Sequence, residues 1–199
     1  MDTIAPFSIT VCGIEELDGH CAAGVSHVLS ILDPGWPVPP AFGAYGEHAR
    51  LELRFNDIIE ERPGELSPQP EHVDALLAFG RDLAAAPRPD AHLLVHCHAG
   101  ISRSTASMLL ILAQALPDRP AADLVHEILH IRAKAWPNIR LVEMGDAKLG
   151  RGGTLVAAAP LAYRHQLERR PDLTELMTKA GRGREVAMAG AVAAAANAP

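Results

Sequence analysis

The run His96-Cys97-His98-Ala99-Gly100-Ile101-Ser102-Arg103-Ser104 lies between two apolar segments of different kinds. Before it, His92-Leu93-Leu94-Val95 reads as a short buried strand. After it, Thr105-Ala106-Ser107-Met108-Leu109-Leu110-Ile111-Leu112 reads as a helix apolar nearly all round, and therefore buried. The pattern predicts a strand, a tight loop of small residues and a helix start, with five residues between Cys97 and Arg103. A loop that curls into a helix N-terminus turns successive backbone N–H groups inward, and the helix dipole adds about half a positive charge there. Such a nest suits an oxyanion held over a nucleophilic sulfur. The same field favours Cys97 as a thiolate. Arg103 can fork two N–H groups onto two oxygens of one anion, which a lysine cannot do. Ala99 and Gly100 leave room for close backbone approach, and Gly100 tolerates positive φ. Ser104 offers a hydroxyl to the sulfur. The plain alternative is a buried cysteine in a strand–helix turn with a surface arginine.

On the N-terminal side, Pro70-Glu71-His72-Val73-Asp74-Ala75-Leu76-Leu77-Ala78-Phe79 carries Pro at the first helical position and acids in its first turn, so a helix starts there. Val73, Leu76, Leu77 and Leu83 give it a core face, and Pro87-Arg88-Pro89-Asp90 links it to the strand before Cys97. Glu60 to Gln69 is a charged loop punctuated by Pro and Gly. Ahead of it, Leu51, Leu53 and Phe55 alternate along Ala49–Phe55, which predicts a strand running into Asn56-Asp57-Ile58-Ile59. Trp36 to Gly46 reads as a loop, and Val25–Leu32 as a strand closed by the turn Asp33-Pro34-Gly35. Phe7–Cys12 is a first strand ending at Gly13, with Ile14-Glu15-Glu16-Leu17 opening a short helix.

On the C-terminal side, Pro117-Asp118-Arg119-Pro120 is a break, followed by an amphipathic helix over Ala121–Ile131. Trp136-Pro137-Asn138 breaks the chain again before a helix from about Ile139 to Leu149, with Asn138 as a natural N-cap. Arg151-Gly152-Gly153 closes this part. Beyond it, Leu161 to Met177 predicts an exposed helix, Gly181-Arg182-Gly183-Arg184 a flexible basic patch, and the end is Ala-rich. Residues 1–150 are thus expected to form one catalytic domain and 151–199 a C-terminal extension, with no internal repeats. The fold class expected is α/β, a central and mostly parallel twisted sheet flanked by helices, with the site at the C-terminal ends of the strands.

The bulk numbers agree with one soluble domain. The chain has 199 residues, 48% of them hydrophobic and 21% charged. Its net charge of −6 argues against a general nucleic-acid or anionic-membrane binder. No run approaches the roughly 18 apolar residues that a membrane span needs. Three cysteines without a secretory signal point to a reducing compartment, and the expected location is cytoplasmic.

The segment from His96 to Ser104 resembles the signature loop of the cysteine-dependent protein tyrosine and dual-specificity phosphatases: His-Cys, five residues, Arg, then Ser or Thr. The resemblance extends over about residues 5 to 150 and is that of a small, bacterial-type member. It implies Cys97 as nucleophile, Arg103 as phosphate clamp and Ser104 as helper at thiol departure. His98, Ala99, Gly100, Ile101, Ser102 and Arg103 then line the phosphate. His96 supports the loop and Asn138 either braces it or simply caps a helix. The general acid of that family is an aspartate on a mobile loop after a strand. Asp57, 40 residues before Cys97, is similar to it, with Glu60 and Glu61 as fallbacks and Asp90 as a poor one.

No metal and no organic cofactor are expected. His96 and His98 flank Cys97, yet residues i and i+2 of a tight loop seldom converge on one ion. Cys12 and Cys21 are either second thiols guarding Cys97 or small buried hydrophobes. The variable loop positions hold no lysine, which favours a singly phosphorylated target: phosphotyrosine, or a phosphoserine or phosphothreonine peptide. A small phosphate ester such as an inositol phosphate or nucleotide, a non-catalytic phospho-binding module, and a sulfur-transferring rhodanese-like protein stay as alternatives. Oligomeric state is not legible.

Overall fold

The computed structural model describes residues 4–85 and 91–196. Four strands form one sheet: β1 Ser8–Cys12, β2 His27–Leu32, β3 Ala49–Arg54 and β4 His92–His96, in the order β1-β4-β2-β3. Every neighbouring pair is parallel. β4 is therefore central, and its last residue, His96, pairs with Cys12 on one side and Ser30 on the other. The expected linker Pro87–Asp90 lies outside the described residues.

Parallel strands buried on both faces read as continuous apolar runs, and this sheet shows why. Val11, Leu29, Ile31, Leu93 and Val95 face one core, while Cys12, Val28 and Leu94 face another. The first core lies under α1 (Pro70–Ala85), α2 (Arg103–Ala115), α3 (Ala121–Ile131) and α4 (Ile139–Lys148). The second is covered by two short 3₁₀ turns, Ile14–His20 and Pro40–Ala44, through Leu17, Ala41, Phe42 and nearby Tyr45. Burying each such large side chain contributes about 1.5–3 kcal/mol. α2 runs through the middle of the first core, and every residue from Arg103 to Ala113 is buried. Its sequence, apolar on all sides, has no solvent face to serve.

The last part of the chain departs from expectation. Leu161–Met177 is not one exposed helix but two, α6 (Pro160–Arg169) and α7 (Leu173–Met177). Pro171 lacks an amide hydrogen and disfavours helical geometry at Arg170, which sits at φ −141°, ψ 79°. Ala162, Tyr163 and Gln166 of α6 are buried. With α5 (Thr154–Ala158) and α8 (Gly183–Ala196), these helices join the first core through Leu155, Ala158, Ala159, Tyr163 and Ala189. Trp136 and Tyr163 pack ring against ring at 4.8 Å, and the Tyr163 hydroxyl donates to Pro137 O at 2.5 Å. Gly181–Arg184 is no loose basic patch either: Arg182 is buried. Among the described residues no helix is long and apolar enough to cross a membrane.

Candidate active site

The loop between β4 and α2 is held from outside by its own carbonyls. His98 O accepts from Ile14 N at 3.0 Å, Ile101 O from Trp136 N at 2.9 Å, and Ser102 O from Ala106 N at 3.0 Å and Asn138 N at 3.3 Å. Arg132 supplies the rest, giving Nε to Gly100 O at 2.9 Å and Nη2 to Ala99 O at 3.1 Å. Because all five carbonyls are turned outward, the amides between them are turned the other way. None of the N–H groups from 98 to 102 donates to another group among the described residues. The outcome is a concave set of free donors at the start of a 13-residue buried helix, which is the geometry of an anion nest.

Gly100 makes that curl possible. It sits at φ +66°, and a Cβ there would strike the backbone of Cys12, within 2.6 Å of Gly13 N alone. Backbone cannot step aside as a flexible side chain can. Gly100→Ala is accordingly expected to destabilise the protein by more than about 2 kcal/mol and to abolish tungstate binding. Thermal melting with and without tungstate measures both.

Cys97 is buried, and its Sγ lies 3.2 Å from Ser104 Oγ. Arg103, at the first helical position, is only 3% exposed and held rigidly: Nη1 is 2.6 Å from Asp33 Oδ1 and 2.6 Å from Phe55 O. Its Nε is buried and has no partner. A buried, permanently charged donor left open is costly unless an acceptor arrives. Asp33, read from the sequence only as a turn residue, thus fixes the arginine. Its place just past β2, beside the central strand, is where ligand-binding residues of parallel sheets gather, and that rule was the available signal.

Two histidines frame the cysteine with different environments. Burial pushes His96 down to about 4, so it is neutral near pH 7, and its Nε2 meets the Ser30 hydroxyl at 2.8 Å. His98 is lowered by burial as well, against the pull of Asp33. Its Nε2 accepts the Asp33 amide at 3.2 Å, and the exposed Trp36 lies against its ring at 4.4 Å. Arg132 is itself held in a fork by Glu16 (2.6 and 3.1 Å), whose carboxyl it draws down to about 2.

Asp57 stands at the other side of the loop. Its Oδ1 accepts three bonds: from Ser102 Oγ at 2.7 Å, Asn138 Nδ2 at 2.9 Å and Arg182 Nη1 at 3.2 Å. Asn138 does both jobs considered for it. Its Oδ1 caps α4 through Leu141 N, while its amide nitrogen and backbone tie Asp57 and Ser102 together. Ser102 precedes α2 but caps nothing, since its hydroxyl is spent on Asp57. Glu60 and Glu61 are paired elsewhere, with Arg184 and Arg140, and Asp90 lies outside the described residues.

All three cysteines are free. Burial pushes the Cys12 thiol up to about 12, with Glu16 adding to the rise, so it stays protonated.

A parallel four-stranded sheet whose central strand ends in a cysteine–arginine nest defines the dual-specificity-phosphatase-like fold. No family model matches the sequence, and no curated protein does. Solved structures do. Human DUSP28 superposes with a TM-score of 0.54 at 19% identity, covering 76% of this chain and 99% of that one. PTPMT1 in complex with PI(5)P gives 0.53 at 14% identity over 75% and 94% of the two chains. The human tyrosine phosphatase-like serine/threonine/tyrosine-interacting protein gives 0.52 at 17% identity over 71% and 87%. At these identities the likeness is one of fold.

Proposed function

We propose that the protein is a cysteine-based phosphatase that hydrolyses phosphate monoesters through a phosphocysteine intermediate. The observation that carries this reading is the ring of five outward-tied carbonyls, which leaves the amides of residues 98 to 102 free beside Cys97 and the open Nε of Arg103.

In the first step the Cys97 thiolate attacks phosphorus in line, the bond from phosphorus to the ester oxygen breaks, and Asp57 protonates the departing oxygen. The loop amides and Arg103 hold the equatorial oxygens as charge builds on them. In the second step water attacks the phosphocysteine and gives its proton to Asp57. The S–P bond breaks, the Ser104 hydroxyl, 3.2 Å from the sulfur, eases thiolate departure, and phosphate leaves. His96, neutral and bonded to Ser30, supports the loop without acting as a base.

The substrate we favour is a phosphorylated protein, with phosphotyrosine first and phosphoserine or phosphothreonine next. Within the loop, Arg103 is the sole cationic side chain available to the anion, and Asp33 beside it disfavours a crowd of further phosphates. Trp36, 45% exposed and lying against His98, offers an aromatic face at the rim. The free cysteines fit a reducing, cytoplasmic setting.

The test is hydrolysis of p-nitrophenyl phosphate in EDTA. Wild-type protein should turn over, and Asp57→Ala should lower kcat by about 10²-fold with tungstate binding unchanged. A wild-type protein that binds tungstate without releasing phosphate would instead be a phospho-binding module.

A further inference from the structure

The C-terminal helices reach the loop that carries Asp57 at three points. Arg182 Nη1 meets Asp57 Oδ1 at 3.2 Å, Arg184 Nε meets Glu60 Oε1 at 3.0 Å, and Arg62 Nη2 donates to Ala180 O at 3.0 Å. Arg182 is the innermost of these, 5% exposed. Gly181 delivers it by a kink at φ +81° between the turn Thr178–Arg182 and α8.

Its donors are fully used. Nε and Nη2 form a fork on Glu185 at 2.8 Å each, and Nη2 also donates to Ser102 Oγ at 3.0 Å. Glu185, completely buried, accepts Trp136 Nε1 at 2.6 Å and Ile139 N at 2.9 Å. Those two residues flank Pro137-Asn138, and Asn138 donates to the same Asp57 oxygen. Arg182 therefore has nothing left for substrate. What it touches is the pair Asp57–Ser102, one member on the acid loop and the other on the phosphate nest.

We propose that Arg182 is a positioning residue for the proton donor. Together with Ser102 and Asn138 it pins Asp57 Oδ1, so that Oδ2, which has no partner among the described residues, is the oxygen that carries the proton to the leaving group. Glu185 holds Arg182 to the helix start behind the nest, and the acid loop is thereby clamped to the C-terminal helices. This rests on the phosphocysteine reading above.

The experiment compares a good leaving group, p-nitrophenyl phosphate, with a poor one, phenyl phosphate. A misplaced acid hurts the poor leaving group far more, whereas general loosening hurts both. Arg182→Lys keeps a charge for Glu185 but cannot span Glu185, Ser102 and Asp57 together. It should lower kcat on phenyl phosphate by roughly 10–50-fold and on p-nitrophenyl phosphate by less than about threefold, with tungstate affinity unchanged. In an Asp57→Asn background the same change should have no further effect. If Arg182→Lys does not fold, the double variant Arg182→Met/Glu185→Gln removes the buried charges together and is read the same way. Equal losses on the two esters, or losses that multiply with Asp57→Asn, overturn the proposal and leave the phosphatase reading standing. A wild-type protein inactive on both esters overturns the two together.

Discussion

Cys97→Ser is expected to lower turnover of p-nitrophenyl phosphate by on the order of 10⁴-fold or more while the protein melts as before and still binds tungstate. The expectation follows from what surrounds position 97. A serine hydroxyl becomes a nucleophile only beside a base that takes its proton. His96 is neutral but its Nε2 is engaged with Ser30, and His98 Nε2 is occupied by the Asp33 amide. Ser104, 3.2 Å from the sulfur, is another hydroxyl rather than a base. A thiolate needs no such partner, because the amide nest and helix start stabilise it directly. The nest itself is built from carbonyl ties to Ile14, Arg132, Trp136 and Asn138, none of which passes through the sulfur. Anion binding should therefore survive the substitution. Calorimetric titration with tungstate and a stopped assay separate the two properties. Residual turnover near the wild-type rate would remove the covalent intermediate, and lost binding would make Cys97 a structural residue.

How far the sequence alone leads depends on the range of the interaction. The strand–loop–helix around Cys97 was legible because everything that specifies it is local: four apolar residues, small residues in the turn, then an apolar helix. Helix α3 was readable to its ends from 3.6-residue periodicity and the flanking prolines. Asp57 could be placed because a strand pattern ends just before it. Arg182 could not. At the level of sequence it is one of two arginines set among glycines, and such a run reads as solvated charge. Its partners lie 125 residues away at Asp57 and 80 away at Ser102. No local pattern encodes a pairing at that separation. Glu185, three residues on, looks like an ordinary i,i+3 surface pair until Trp136 and Ile139 are seen to donate to it. The split at Pro171, by contrast, was readable and was passed over, since a proline inside a helical pattern ends or kinks it.

The second large effect concerns that buried glutamate. Glu185→Ala is expected to destabilise the protein by about 3–5 kcal/mol, which at this chain length is a fall in Tm of roughly 6–20 °C. Glu185 is 0% exposed and serves four donors: Arg182 Nε and Nη2, Trp136 Nε1 and Ile139 N. Alanine leaves a buried guanidinium half-paired, an indole N–H with no acceptor, and the first amide of α4 open. Each such loss carries the full cost of desolvation rather than the small net worth of a bond. Arg182 would retain Asp57, but that contact is single and longer, at 3.2 Å. The exposed pair Lys179–Glu175, at 72% and 76% side-chain exposure, is the contrast within the same segment. Breaking it with Glu175→Ala should leave Tm essentially where it was, because solvent screens both charges. A second comparison isolates the charge. Replacing Arg182 and Glu185 together by Met and Leu removes both ions at once, and buried pairs exchanged for apolar side chains are often neutral in stability. That double variant should melt well above Glu185→Ala yet show the defect on phenyl phosphate expected for Arg182→Lys. Thermal unfolding of the four proteins decides it: a Glu185→Ala curve within about 2 °C of wild type, on the same scale, would mean that Glu185 carries no buried network.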